Sequence, residues 1–220
     1  MTEIDLSSID AGFSDLSAGS QTVFRAALRA LSHPGQPVGV AHDARVPAPG
    51  HSSSAALLLA LMDAGSRLWL SPSLASGDTG PWLRFHTGCL QVEDPAEAHF
   101  AWAADASELP SLDRFAQGSA RYPDQSATCL IDVASLFLPS LRLPALVDAG
   151  QTGCDLILRG PGIPGQVRLR VGGLSEELAA RFASATAANH AGFPCGVDIF
   201  LATPRQLVGL PRTTRVELEA

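Results

Sequence analysis

The sequence predicts a layered α/β domain, a three-layer sandwich built around a mixed sheet. Three observations predict this class. Apolar residues make up 46% of the 220 residues, which is enough to bury a core without metal or disulfide support. Segments with helical periodicity interleave with short apolar strands. No internal repeat or long linker divides the chain, so residues 1–220 are expected to form a single domain.

The first half of the chain predicts two helices. Residues 1–19 are expected to be a weakly ordered arm. Ser20 is the predicted N-cap of an amphipathic helix at 21–31, which ends at the Pro- and Gly-containing segment 32–35. A second helix at 55–63 is apolar on nearly every side, so we expect it to be buried. The other predicted elements are strands at 38–41, 67–70, 98–103 and 127–133 and a short element at 81–86.

The second half has clearer patterns. Residues 154–158 form an apolar strand, and residues 166–171 alternate between polar and apolar, as a half-buried strand does. Ser175 is the predicted N-cap of a helix that runs to Ala188. Two further strands are predicted at 197–202 and 206–210.

The segment Gly160–Gly165 matches the glycine pattern G-x-G-x-x-G of dinucleotide sites. That pattern works by directing backbone N–H groups and a helix N-terminus at a pyrophosphate. Pro161 and Pro164 remove two of those donors, and a strand follows instead of a helix. We therefore expect a tight connection between two strands.

Charge is scarce and its balance is acidic. Charged residues make up 17% of the chain, against about 25% in a typical soluble domain, and the net charge is −7. No basic run is present, so nucleic acid is an unexpected partner. Charge depletion is typical of surfaces buried between subunits, which favours an oligomer or a complex subunit. A monomer whose surface is rich in Ser, Thr, Gly and Pro is the alternative.

The chain contains no lysine. Arginine stays protonated and does not act as an amine nucleophile, so Schiff-base chemistry on a side-chain lysine is excluded. The same absence excludes a Walker A ATPase. A genome that favours arginine codons explains the missing lysine equally well, and the chemical exclusion still holds.

No metal site, cofactor site or targeting segment is predicted. The four cysteines have no C-x-x-C spacing, and the six histidines have no pair at helical metal-binding spacing. The residues after Met1 are acidic, with no signal-peptide pattern, and the longest apolar run, Ala55–Met62, is too short to span a bilayer. A cytoplasmic location is expected.

Two segments combine arginine with hydroxyl groups near the ends of predicted elements. Their candidate residues are Arg84, His86, Thr87, Arg212, Thr213 and Thr214. An arginine fork with hydroxyl and backbone donors suits a phosphate or phosphonate oxyanion, and ligands of α/β sheets tend to bind at strand ends. Alternatively, the arginines pair with carboxylates and hold loops or a subunit contact.

Six segments occur in an order and spacing that carry a resemblance. They are Phe24-Arg25 to Gly35, Leu57–Asp63 with Leu68–Leu70, Leu83–Thr87, Gly160–Ile163, Phe193–Asp198 and Leu210–Thr214. Together they resemble the H subunit of the bacterial carbon–phosphorus lyase system, over Phe24–Val216. Residues 135–151, rich in Pro and Leu, do not match.

That resemblance implies a fold similar to that of pyridoxal-phosphate (PLP)-dependent transferases, without use of the cofactor. It also implies a homodimer that joins G, I and J subunits in a core complex. The G, H and I subunits are needed to displace adenine from ATP by a phosphonate, which gives a ribose 1-phosphonate 5-triphosphate. The J subunit then cleaves the C–P bond with an iron–sulfur cluster and S-adenosylmethionine. The resemblance assigns no catalytic, cofactor or metal residue to this chain.

Two hypotheses follow. In the first, the protein is a subunit of that phosphonate-processing complex and is not catalytic alone. In the second, it is a stand-alone binding protein or enzyme that uses the two arginine segments for an anionic phosphonate or phosphate metabolite. An enzyme that still uses pyridoxal phosphate is argued against by the missing lysine.

Overall fold

The computed structural model describes residues 10–139 and 153–219. The helices are α1 (Leu16–Ser32), α2 (Ser52–Leu61), α3 (Pro72–Ala75), α4 (Thr79–Thr87) and α5 (Glu176–Ala191). The strands are β1 (Val38–Gly39), β2 (Arg67–Leu70), β3 (Leu90–Gln91), β4 (Phe100–Ala103), β5 (Thr128–Asp132), β6 (Ser135–Phe137), β7 (Gly153–Arg159), β8 (Val167–Gly172), β9 (Asp198–Ala202), β10 (Gln206–Leu210) and β11 (Arg215–Leu218).

The predicted mixed sheet is confirmed. It has seven strands in the order β1-β10-β9-β5-β4-β2-β3. Strands β9, β5, β4, β2 and β3 run parallel, whereas β10 is antiparallel to both of its neighbours. A second sheet, which the sequence did not predict as separate, is antiparallel with the order β11-β7-β8-β6.

The large sheet is the middle of three layers. Side chains of β5 alternate between its two faces: Leu130 packs with the cluster on the side of α1, α2 and α4, and Cys129 and Ile131 pack with the small sheet and α5. All three are fully buried. Strands covered on both faces become continuously apolar, which is why residues 127–133 show no alternation.

The first helix begins earlier than predicted. It starts at Leu16, not Gln21, and its N-cap is Asp15, whose carboxylate accepts from the Ala18 N–H at 2.9 Å. Ser20 is therefore inside the helix. Gly19 is tolerated there because its missing side chain makes room for the ring of Phe13. The weak order predicted for 1–19 is thus wrong for residues 16–19, and residues 1–9 lie outside the described ranges.

Other boundaries moved by a few residues. Helix α2 covers 52–61 and not 55–63, and the short element predicted at 81–86 is the helix α4.

The segment 160–165 joins β7 to β8 as a hairpin connection, as expected, and Gly160, Gly162 and Gly165 all have positive φ. Most of the unmatched stretch 135–151 lies outside the described residues, but its start forms β6. Within the described ranges, no helix is long and apolar enough to cross a membrane.

Helix α1 packs unusually closely on β10. A Cβ added at Gly209 would lie 2.7 Å from the carbonyl carbon and oxygen of Ala30, which is backbone that cannot rotate away. The buried face of α1, formed by Val23, Ala27 and Ala30, approaches the sheet at this point.

We expect the Gly209→Ala variant to lower the free energy of unfolding by about 1–3 kcal/mol, because α1 must move away from the strand. Urea unfolding measures this loss. Gly39→Ala is the matched control: a Cβ at Gly39 has no neighbour within 4 Å, so its stability should change little. Equal stability of the two variants would contradict the close packing.

Candidate functional site

The first predicted cluster, Arg84, His86 and Thr87, lies in the last two turns of α4. The Arg84 side chain is exposed and forms no ion pair within the described ranges. The Thr87 hydroxyl donates to the Leu83 carbonyl at 2.7 Å and so binds back to its own helix.

His86 holds the segment that precedes α1. Its Nε2 donates to the Asp10 carbonyl at 2.9 Å, and the Trp82 Nε1 donates to the same carbonyl at 2.8 Å. The two rings pack edge to face with centroids 5.0 Å apart. His86 therefore has a structural role: its Nε2 binds the Asp10 carbonyl, and its ring packs against Trp82.

The second cluster is organised around Arg212. Its guanidinium forms a fork with Asp198, with Nη2 to Oδ2 at 2.7 Å and Nε to Oδ1 at 3.2 Å, and Nη1 donates to the Pro123 carbonyl at 2.8 Å. Thr214 is buried and Thr213 is half-buried. Arg212 thus matches the alternative interpretation, in which the arginine pairs with a carboxylate and holds loops.

The structure does not bring these two clusters together. Leu210, which precedes Arg212, pairs with Ile199 near the start of β9. Leu90, which follows α4, pairs with Arg67, the first residue of β2. Both clusters therefore lie at the amino edge of the parallel strands, next to strands β9 and β2, which are three strand spacings or about 14 Å apart in the sheet. Ligands of such sheets bind at the carboxyl edge, so neither segment occupies that position.

The carboxyl edge holds a polar cluster that the sequence did not single out. Asp132, the last residue of β5, is 3% exposed. Its Oδ1 accepts from the Ser54 hydroxyl at 2.6 Å and from Trp102 Nε1 at 3.0 Å, and its Oδ2 accepts from the His51 backbone N–H at 2.7 Å. Three donors from three different elements thus converge on one buried carboxylate.

Asp132 acts as a cap supplied from the sheet. His51 is the N-cap residue of α2 and makes no capping hydrogen bond with its own side chain, and the distant carboxylate accepts from the His51 N–H. Burial raises the pKa of Asp132, whereas the His51 ring and the hydrogen bonds from Ser54, His51 and Trp102 act to lower it.

Two further serines fix α2 to the turn after β9. The Ser52 hydroxyl donates to the Pro204 carbonyl at 2.7 Å, and the Ser53 hydroxyl donates to the Thr203 carbonyl. The three consecutive serines therefore join the helix to both β5 and the β9–β10 turn.

The His51 ring has a defined tautomer. Its Nδ1 lies 3.0 Å from the Ala202 carbonyl, which can only accept, so Nδ1 carries the hydrogen. The same nitrogen is 3.9 Å from Asp132 Oδ1. The side chain is 27% exposed, which leaves Nε2 as the nitrogen able to act as an acceptor or base when the ring is neutral.

The sequence did contain a signal for this cluster. An aspartate directly after the apolar run at 128–131, together with a histidine and three serines before an apolar helix, is the pattern of polar groups at a strand end facing a helix start. The pattern does not show that Asp132 binds His51, because the two residues are 81 positions apart in the sequence.

Two of the cysteines, Cys129 and Cys154, are not activated. Burial raises the pKa of the Cys129 and Cys154 thiols, so both stay protonated at neutral pH. The described part of the chain has no group of three His, Cys, Asp or Glu side chains arranged to hold a metal ion.

The Asp132→Ala variant should lose on the order of 3 kcal/mol of unfolding free energy, because two buried N–H donors and a hydroxyl lose their acceptor. Asp132→Asn should also be destabilised, since its amide nitrogen faces one of these donors. Urea unfolding measures both. Glu97→Gln is the control: the Glu97–Arg67 pair is exposed and 3.9 Å apart, so less than about 1 kcal/mol is expected. A near-neutral Asp132→Ala would disprove the anchoring role.

Comparison with known proteins gives consistent matches along nearly the whole chain. The model of the family described as bacterial phosphonate metabolism protein (PhnH) matches residues 11–217. A protein of Rhizobium meliloti (strain 1021), named alpha-D-ribose 1-methylphosphonate 5-triphosphate synthase subunit PhnH, is 33% identical over 207 residues, which are 94% of each chain. A putative C-P lyase subunit protein HtxG of Stutzerimonas stutzeri is 29% identical over 199 residues, 90% of this chain and 86% of its own.

The two relatives and the family model agree with one another and with the order of segments noted in the sequence. The chain belongs to the PhnH family of bacterial phosphonate metabolism proteins.

Proposed function

We propose that this protein is a subunit of the carbon–phosphorus lyase system in organic phosphonate catabolism. With partner subunits, it would serve the transferase step that forms a ribose 1-phosphonate 5-triphosphate from ATP and a phosphonate. The observation that carries this proposal is the match to a synthase subunit over 94% of both chains. Family membership from residue 11 to 217 supports it further.

The finer points of this proposal come from the resemblance noted in the sequence. The chain would act as a single cytoplasmic domain, form a homodimer when alone and join G, I and J subunits in the complex. Its fold would be similar to that of the PLP-dependent transferases. The mixed seven-stranded sheet is compatible with that likeness. The absence of lysine supports the view that pyridoxal phosphate is not used.

An interface role suits the exposed surface around Arg84. Phe85 is 52% exposed and Leu90 on the edge strand β3 is 55% exposed. Aromatic and arginine side chains are enriched at subunit contacts. The end of α4 and β3, defined here by Arg84, Phe85 and Leu90, is the α4 surface. We propose it as a contact with a partner subunit, with Arg84 as its cation.

The subunit role predicts co-purification. When the tagged protein is co-expressed with the G, I and J subunits, affinity capture should recover at least one of them in a stoichiometric complex, detected by mass spectrometry and gel filtration. Capture of this chain without any of the three subunits would count decisively against the proposal.

The α4 surface predicts a selective loss of assembly. The double variant Arg84→Ala, Phe85→Ser should weaken partner capture at least tenfold, because both side chains are exposed. Its free energy of unfolding in urea should fall by no more than about 1 kcal/mol, the loss expected from the contact between the Phe85 and His86 rings. The control Arg121→Ala removes a cation that stacks on Tyr122 at 5.2 Å, away from this surface. Equal capture by the double variant and the control would refute the assignment of this surface.

A further inference from the structure

A groove of about 650 Å³ opens at the carboxyl edge of the large sheet, next to the Asp132 cluster. It is lined by Gly39, Val40, Ala41, His42, Ser52, Pro204 and Arg205. This lining contains an arginine and a histidine and no carboxylate. Two acids neighbour this lining and both are engaged: Asp43 accepts from the backbone N–H and the hydroxyl of Ser14, and the buried Asp132 accepts from His51, Ser54 and Trp102.

Arg205 is held in place by its backbone while its side chain stays exposed. Its N–H donates to Thr203 Oγ1 at 3.4 Å, and its carbonyl accepts from the Val40 N–H at 2.9 Å. The hydroxyl of Ser52 fixes the preceding residue, Pro204. Within the described ranges, the Arg205 guanidinium has no carboxylate within 4.0 Å. An exposed cation on a fixed backbone position at the rim of the groove therefore has no carboxylate partner among the described residues.

His42 gives an independent sign of a missing partner. Its Nδ1 is buried and has no hydrogen-bond partner in the described part of the chain. Burial lowers the pKa of His42, so the ring is neutral at pH 7, although Asp43 and the Ala44 backbone partly oppose this shift. A buried ring nitrogen without a partner is uncommon in folded proteins and is explained when a ligand or water completes it.

Helix α2 adds a weak positive field to this groove. It begins at Ser52; the Asp132 carboxylate accepts from the N–H of its N-cap residue, His51, but the His51 side chain caps none of the first-turn N–H groups. The partial positive charge of a helix N-terminus favours an anion at this position. The field alone would not define a site, but here it coincides with the unpaired cation and the unpartnered ring.

We propose that this groove binds the oxyanion of a phosphate or phosphonate group, with Arg205 as the charged donor, His42 as the ring partner and the start of α2 behind them. The inference deepens the proposed function and rests on it for the choice of ligands. Two kinds of ligand present such an oxyanion: a small phosphonate and the triphosphate of a nucleotide. The open shape of the groove leaves the rest of either molecule outside, where a partner subunit would reach it.

The test is titration calorimetry at low salt on the purified chain and on its co-purified complex. The probes are inorganic phosphate, methylphosphonate, tripolyphosphate and ATP. For each probe that binds, Arg205→Gln should raise Kd at least tenfold, because a charge-assisted hydrogen bond is lost. His42→Ala should raise it several-fold. Arg25→Gln is the matched control: it removes the same charge from an exposed position on α1 and should leave Kd unchanged.

The outcomes distinguish the two kinds of ligand, and they distinguish failure of the groove site from failure of the proposed subunit function. Binding of phosphate and methylphosphonate points to the small phosphonate, whereas binding of only tripolyphosphate and ATP points to the nucleotide. An equal effect of Arg205→Gln and Arg25→Gln would show a general charge effect and overturn the site. So would the absence of binding by every probe at millimolar concentration. A complex that assembles normally but binds no probe refutes the groove and leaves the subunit role intact.

Discussion

One buried carboxylate determines how the helical layer meets the sheet. Asp132 lies at the end of the central strand β5 and receives hydrogen bonds from α2, from the segment before it and from β4. A charge without these donors would be costly to bury, and without this carboxylate the N–H of the N-cap residue His51 would lose its acceptor. The two requirements satisfy each other, which explains why a helix with no internal cap begins here.

The same arrangement holds the polar groups at the carboxyl edge in place. Ser52 and Ser53 hold the turn after β9 against α2, and that turn carries Arg205. His51 has a fixed tautomer with Nε2 free to accept. The guanidinium of Arg205 can neutralise an anion at this edge, as the proposed groove site requires.

Much of the fold was accessible from the sequence, because buried strands and amphipathic helices leave periodic patterns. β2, β10 and the helix capped by Ser175 were predicted within a few residues. The start of α1 was missed, because Gly19 resembles a break until Phe13 is seen to fill the space beside it. The small sheet was not predicted as a separate layer, since strand patterns do not state which strands pair.

The candidate site was harder to predict for the same physical reason. Arginines near hydroxyl groups are visible locally, but the carboxylate that neutralises Arg212 is supplied by a different strand. Asp132 and His51 form a cluster only because the fold brings two distant segments of the chain together. The direction of the strands also matters, because it places both predicted clusters at the amino edge of the sheet. The residues on either side of each cluster in the sequence do not show that direction.

The anchoring of Asp10 has a practical consequence for handling the protein. Trp82 and His86 fix the Asp10 carbonyl against α4, so Asp10 lies next to the helix that carries the exposed Phe85. A bulky group attached close to Asp10 would crowd the α4 surface and imitate a failure to assemble. The opposite terminus is better suited to carry a label, because Glu219 donates its N–H to the Asp155 carbonyl on the small sheet, a different layer of the fold.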